Sequence, residues 1–455
     1  MKITILGSSR QGYITNNYNC TNIHLQISYP HYTKEIIQVI NFCKFGNLLP
    51  EETLYTFRTP ILNKEPLYFN EILRNDFESS DLYILEISSK IAYEYNNIYI
   101  HHIATENEYN TSIKDKINIR YQDKNEIEDD ISYIKNILKK QFIIVSNIFN
   151  DELNYWLEDI CMRHGILFID PIKEFHEKKY DINKLFNNDN YTIEGYNAIG
   201  NIYDYYINKS KDIKYTNNKL TDGFGSQYQK IIYSYVLCKS INRDFLYSPI
   251  TTIEHNYNED LDYIDKLENI INLKNNIPLY TNQYNVMVLD HMVCVREFEN
   301  NVDIYSNNEH MNYIKNLFYE NNINIYSTNE INIAVHIRRE NEHDKGQSGE
   351  RTTTKDEYYI NVMNYIRKNY NNDKLLFHIY SQGNIKDFSC YNENNNDVKL
   401  HINEDIESTF IGLVYANILI MSPSSLSYSA SLISNGIIIY KPYWSKPKKN
   451  WLIIT

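Results

Sequence analysis

Asn417-Ile-Leu-Ile-Met-Ser422-Pro-Ser424-Ser425-Leu-Ser427-Tyr428 sets the reading of this chain. A short apolar run gives way to a serine-rich turn, then to a segment with helical spacing. Such a run, bounded by polar residues, suits a strand buried on both faces of a parallel sheet. The serines offer hydroxyls to the orphan N–H groups of a helix start, a place that also attracts anions. Working outward, Ile331–Ile337, Leu375–Tyr380, Val398–Ile402, Ile418–Met421 and Ile437–Tyr440 read as strands with helical segments between most of them. Strands alternating with helices predict an α/β architecture.

The first half carries the same signal. Ile3–Leu6, Leu82–Ile87, Phe142–Val145 and Ile166–Ile169 are short apolar runs. Ile36, Ile37, Ile40 and Cys43 share a helical face after a candidate N-cap at Thr33 and before Gly46. Ile193, Tyr196, Ile199, Ile202 and Tyr206 do so after Thr192. The alternation implies a three-layer α/β/α sandwich over residues 1–207. Residues 104–135, rich in Asn, Asp, Glu and Lys, read as a solvated excursion with a helix near its end. Residues 208–221 hold little that could pack and read as a linker. A second α/β domain follows over 222–455, with lobes of about 222–330 and 331–455.

At 455 residues the chain can bury a large core without a disulfide or metal staple. A formal net charge of −13 excludes a dominantly basic nucleic-acid binder. The basic, aromatic run 441–449 therefore reads as a solvated edge. The six cysteines are scattered with no CxxC pair, which argues against structural zinc and for a reducing compartment. No stretch approaches the roughly 18 apolar residues of a membrane span, and the N-terminus has no signal-peptide core. The expected location is the cytoplasm, that of a host if the chain is viral.

Three pieces of the second half point to one chemistry. Asp222-Gly223-Phe-Gly225-Ser-Gln227 opens a helix, where glycines let backbone N–H groups approach an anionic or sugar ligand. His336-Ile-Arg338-Arg339-Glu340 ends a strand, the edge where open α/β sheets bind ligands; paired arginines there fork onto a pyrophosphate. Ser424, Ser425 and Ser427 face the same edge from the serine turn, and Ser381 ends the next strand. Each piece also has a plain structural reading: a turn, a surface ion pair, an N-cap cluster.

These pieces resemble the α-1,2-fucosyltransferases. Asp222–Gln229 is similar to their Gly-Gly-x-Gly-Asn-Gln loop, His336–Arg339 to their His-x-Arg-Arg-Gly-Asp motif, and Met421–Leu432 to their Ser-x-Ser-Ser-Phe-Ser segment. The resemblance covers roughly 218–455. It implies a GT-B-like fold of two Rossmann-type lobes, the first reduced, GDP-fucose as donor, inversion and no obligatory metal or cofactor. It assigns leaving-group stabilisation to Arg338 and Arg339. Donor binding falls to Gly223, Gly225, Gln227, His336, Ser381, Ser424, Ser425 and Ser427. The acceptor would be a glycan or glycosyl-lipid. The chain departs from the family at Glu340-Asn341, Ser226 and Leu426, which bears on the donor sugar. His255, Asp222, Glu340 and Asp344 remain open as the base, and Arg351 as a further anion contact.

In the first half, Ile5-Leu-Gly7-Ser8-Ser9-Arg10 runs a strand into a small-residue turn. The placement resembles the first block of SGNH/GDSL hydrolases and acyltransferases, whose domain is flavodoxin-like. The resemblance puts Ser9 at the nucleophile position and Ser88 and Asn147 at oxyanion-hole positions. The family's Asp-x-x-His falls on Asn187 and Asn190, and an asparagine amide cannot take a proton as imidazole does. Either this domain is inactive or binding-only, or it is an acyltransferase or esterase with another base. His31 and the pair His101-His102 are the nearby candidates. A sugar-binding protein with two degraded catalytic folds is the third reading.

Overall fold

The computed structural model describes every residue except 22, 110, 150, 189, 255–260, 282–284, 328, 340–353, 371–373 and 393–395. Two compact units divide the chain, Met1–Ile213 and Lys214–Thr455.

Unit 1 is built on five parallel strands, β1 (Lys2–Leu6), β2 (Asn19–Cys20), β3 (Leu82–Ile87), β4 (Phe142–Ser146) and β5 (Leu167–Ile169). Their spatial order is β2-β1-β3-β4-β5, the flavodoxin-like winding. All six residues of β3 are buried, so both faces are covered. Tyr83, Leu85 and Ile87 point one way and join Ile36, Val39 and Ile40 of α1 (Thr33–Phe45). The same core takes Ile127, Ile131 and Ile134 of α2 (Lys124–Leu138) and Leu153, Leu157 and Ile160 of α3 (Glu152–His164). Helix α4 (Ile193–Asp212) starts at Thr192, whose Oγ1 accepts the Gly195 N–H at 3.1 Å. The expected three layers are present.

Local expectations differ in three places. Thr33 is the first helical residue of α1 rather than its cap; its hydroxyl donates to Asp130 at 2.5 Å. The stretch read as a solvated excursion contains Asn118–Tyr121, paired antiparallel with Ile91–Tyr95. Beneath it Ile61, Ile98, Ile100, Ile103 and Ile113 form a small core of their own. Residues 208–221 are no linker: 208–212 complete α4, and Lys214–Asn217 is a central strand, β6. Asn217 makes that polar strand possible, because its amide exchanges hydrogen bonds with Ser248 (Nδ2 to O 2.9 Å, N to Oδ1 3.0 Å).

Unit 2 holds two parallel sheets. The smaller orders β7 (Phe245–Leu246), β6 and β8 (Val286–Leu289), with β6 in the middle. The larger uses β9 (Ile331–His336), β10 (Leu375–Ser381), β11 (Val398–Ile402), β12 (Ile418–Ile420), β13 (Ile437–Tyr440) and β14 (Leu452–Ile453). Their order is β11-β10-β9-β12-β13-β14, a 3-2-1-4-5-6 Rossmann winding. Ile333, Val335, Phe377, Ile379 and Ile418 bury one face against Tyr359, Val362, Met363 and Ile366 of α6 (Asp356–Asn369), and α7 (Ile406–Tyr415) connects β11 to β12. The fold is α/β throughout, with Rossmann-type sheets in unit 2. The run 441–449 is a solvated edge only in part: Pro442, Trp444, Lys446 and Lys449 are exposed, while Ser445 and Lys448 are buried. Lys448 is 6% exposed, and the neighbouring Trp451 sits 5.5 Å from the Tyr428 ring. Among the described residues no helix is long and apolar enough to cross a membrane.

Candidate functional site

A 3-2-1-4-5-6 sheet reverses direction between its first and fourth strands, and the crevice at that switch point is where such sheets take ligands. Here the two strands are β9 and β12. His336 ends β9, and Ser422 follows β12 before α8 (Ser425–Ile433). Nδ1 of His336 lies 2.8 Å from Ser427 Oγ and 2.9 Å from Ser422 Oγ. Burial, then the charge of Arg338, holds this imidazole down at about 3, so it is neutral at pH 7. Ser427 and Ser422 are fully buried and fix the ring from behind.

The helix α5 (Phe224–Ser240) meets this crevice. Its first turn packs directly on the first turn of α8. A Cβ on Gly225 would lie 2.4 Å from both the N and the Cα of Leu426, and Ser429 Oγ donates to the Gly225 carbonyl at 2.5 Å. Two helix N-termini therefore converge near His336 and Arg338, and their partial positive ends add. Asp222 offsets part of this at the start of α5. It is held below its usual range by Lys230 and Ser226, which overcome its burial. A carboxylate so held is a poor base for a sugar hydroxyl.

The sequence-derived donor set divides on inspection. Gly225 serves helix contact rather than ligand contact, because Leu426 fills the space before it. Gln227 is spent on backbone, its amide donating to Asp222 O at 2.6 Å and Thr252 O at 2.9 Å. Ser381 gives its proton to Ile337 O at 2.7 Å and ties two strand ends together. Ser424 caps α8 through Leu426 N. Gly223 and Ser425 stay half-exposed at the two helix starts.

The arginine pair also divides. Arg339 is bound to Asp356 and lies over the Phe388 ring at 5.1 Å, while Tyr391 OH donates to the same carboxylate at 2.5 Å. Its charge is largely answered within the protein, so it positions the strand end instead of facing a leaving group. Arg338, half-buried, is the cation whose field reaches His336. His255, Glu340, Asp344 and Arg351 lie outside the described residues.

Unit 1 has its own cluster. Glu86, 1% exposed in the middle of an apolar strand, accepts from Ser8 N (2.7 Å), Ser8 Oγ (2.6 Å), Gln11 Nε2 (2.9 Å) and Arg10 Nη2 (2.8 Å). Burial raises its pKa, but Arg10 and these bonds outweigh it and leave the carboxyl ionised. Sequence reasoning passed over this network. A lone glutamate in a doubly buried strand was the available signal, since a buried charge needs a partner.

Beside it is a cavity of 220 Å³ lined by Arg10, His31, Tyr32, Ser88, Ser89, Tyr93, His102, Asn147 and Phe149. Ser9 is exposed and outside this lining, and no described imidazole hydrogen-bonds to it. This counts against Ser9 as the nucleophile. Asn187 and Asn190 pair in a two-residue hairpin, both exposed, and do not line the cavity. Ser88 N donates to His31 O at 2.9 Å and is not offered to an oxyanion, while Asn147 spends one of its two amide N–H groups on Ser88 O at 3.0 Å.

The three histidines of the sequence reading do meet. Candidate ligand atoms of His31, His101 and His102 lie within 4.8 Å of one another. The cluster suits a metal poorly. His101 is engaged at both ring nitrogens, with Ile103 N at 3.3 Å and Tyr29 O at 3.2 Å. Burial first, and then neighbouring charges that include Arg58, lower all three imidazoles.

No family model and no curated protein matches the chain. Among solved structures it is similar to E. coli heptosyltransferase WaaC with ADP-2-deoxy-2-fluoro heptose, at 10% identity over 72% of this chain and 87% of that one, with a TM-score of 0.26. The same enzyme with ADP gives the same identity and coverage and a TM-score of 0.25. Likeness at this level says nothing about which nucleotide or sugar this chain takes.

Proposed function

We propose that this chain is a glycosyltransferase that binds a nucleotide-diphosphate sugar in the switch-point crevice of unit 2. The observation that carries the proposal is the convergence of two helix N-termini with Arg338 at the switch of a 3-2-1-4-5-6 sheet. Sugar transfer builds negative charge on the departing pyrophosphate. Fixed positive groups beside that charge act mainly in the transition state, because they need no reorganisation when the bond breaks. Arg338 is the leaving-group cation. His336, neutral and held by two serines, offers its remaining ring nitrogen to the donor without adding charge. Arg339 acts through Asp356.

The finer reading is fucosyl transfer from GDP-fucose to a glycan or glycosyl-lipid, with inversion and without obligatory metal, in the cytoplasm. The resemblance of Asp222–Gln229, His336–Arg339 and Met421–Leu432 to the α-1,2-fucosyltransferases supports it. The SGNH-like reading of unit 1 rests on its winding order and the small-residue turn after β1.

The full chain, incubated separately with GDP-fucose, GDP-mannose and UDP-sugars, tests the donor. Slow release of GDP from GDP-fucose, without added acceptor and lost in Arg338→Ala, is the expected result. Release from a UDP-sugar instead would move the donor while keeping the site. No release from any donor, with no nucleotide bound, would refute the proposal.

A further inference from the structure

The cavity of unit 1 holds a serine and a histidine already in contact. His31 Nδ1 lies 3.0 Å from Ser88 Oγ. The contact is built in by the backbone: His31 O accepts from Ser88 N and Ser89 N, each at 2.9 Å, and His31 N donates to Glu35 Oε2 at 3.0 Å. The His102 ring stands edge-on to His31 at 4.9 Å, and the His101 ring does so at 5.4 Å. Burial, then the His102 charge, lowers His31 to about 4, so at pH 7 the ring is neutral and free to pair with the Ser88 hydroxyl, though a weaker base than an ordinary imidazole. Arg10 forms part of the wall, its Nε and Nη2 donating to Glu86 Oε1 at 3.2 and 2.8 Å.

We propose that Ser88 and His31 form a nucleophile–base pair that cleaves short-chain carboxylic esters in this cavity. The inference concerns unit 1 alone and does not depend on the donor reading of unit 2. The cavity is small, 220 Å³, which fits an acetyl-sized acyl group better than a long chain. Glu86 offsets the Arg10 charge in part, so the pocket does not demand an anionic substrate yet keeps a cation in its wall.

Ser88 Oγ attacks the ester carbonyl as His31 Nδ1 takes the hydroxyl proton. The Arg10 guanidinium faces the developing oxyanion. Collapse breaks the acyl–oxygen bond, and His31 returns the proton to the departing alcohol. Water, or a sugar hydroxyl, then attacks the acyl-serine, its proton passes to His31 and on to Ser88, and the acid or new ester leaves.

A fluorophosphonate probe reports the nucleophile, because serine displaces fluoride and keeps a stable adduct. The full chain would be labelled at pH 7.5 and the adduct mapped by peptide mass spectrometry, alongside Ser88→Ala, His31→Gln and Ser9→Ala. The expected adduct is on Ser88, retained in Ser9→Ala and at least tenfold slower to form in His31→Gln. Hydrolysis of p-nitrophenyl acetate should fall at least 100-fold in Ser88→Ala. An adduct on Ser9, labelling of Ser88 indifferent to His31, or no serine adduct on a wild-type chain shown folded by circular dichroism would each overturn the proposal. The wild-type adduct position decides the matter even if a variant fails to fold.

Discussion

In unit 1 the arginine beyond the end of β1, Arg10, lies against the buried carboxylate of Glu86, and the neighbouring cavity holds a neutral Ser88–His31 pair. In unit 2 the arginine beyond the end of β9, Arg338, acts by its charge on the neutral imidazole of His336, beside which two helix starts meet. The winding rules are the same in both sheets, and both put polar groups at the strand edge. The difference lies in what gathers at the edge. In unit 1 a buried carboxylate, Glu86, takes the arginine, and the cavity beside it suits a neutral electrophile. In unit 2 two helix starts meet beside a neutral imidazole, an arrangement that suits a diphosphate. Sheet topology thus fixes where a ligand sits, and the groups gathered at the edge decide which kind.

The comparison can be broken from either side. The largest effect expected is from Glu86→Gln, which leaves Arg10 buried beside a neutral amide. Uncoupling such a pair costs about 3–5 kcal/mol. Urea denaturation should show unit 1 destabilised by that order while nucleotide binding by unit 2 is unchanged. Next is Arg338→Ala, which should cost about 2–4 kcal/mol of barrier, read as kcat, with little change in melting temperature. Arg339→Ala should invert that pattern: a lower melting temperature from the lost Asp356 and Phe388 contacts, and a smaller loss of kcat. Equal losses from the two arginines would show that both face the donor.

Gly225→Ala sharpens the geometric part. Its Cβ must push Leu426 backbone aside from 2.4 Å, a strain of about 1–3 kcal/mol. Because the two helix starts separate, nucleotide affinity should fall along with stability, measured by calorimetry and denaturation on the same preparation. Binding unchanged in that variant would mean that the helix starts do not form the site.

The smallest effect is a pH slope in unit 1. Burial lifts Glu35, beneath His31, to about 8, against 4.5 for the free side chain. The folded state therefore holds a proton that the unfolded chain has lost. The contribution is fully present below pH 4.5 and is lost as pH rises through 8. Denaturation at pH 5 and pH 8 should show wild type losing on the order of 1–3 kcal/mol more than Glu35→Gln across that interval.

The inner strands of both main sheets could be read from apolar runs because a doubly buried strand leaves that mark, as in Leu82–Ile87 and Ile418–Ile420. The two-residue edge strands Asn19–Cys20 and Leu452–Ile453, not buried, left none. Thr192 was legible as a cap because its chemistry is local. Lys214–Asn217 was not, because its burial depends on Asn217 meeting Ser248, 31 residues away. His336, Arg338 and the serine turn were legible as a set, since motif order survives in one dimension. Their division of labour was not: Gly225, Gln227 and Arg339 took structural roles through Leu426, Thr252 and Asp356, partners that only folding brings near. Ser88 and His31, 57 residues apart, were each named for other reasons and meet only in space.

Whether the unit 2 crevice is an anion site built for a nucleotide diphosphate is tested by calorimetric titration of the full chain with GDP, and with GDP-fucose, with Arg338→Ala and Glu86→Gln alongside. Stoichiometric guanine-nucleotide binding that disappears in Arg338→Ala and persists in Glu86→Gln is the expected result. A folded chain that binds no nucleotide diphosphate, or binds it equally without Arg338, would contradict it.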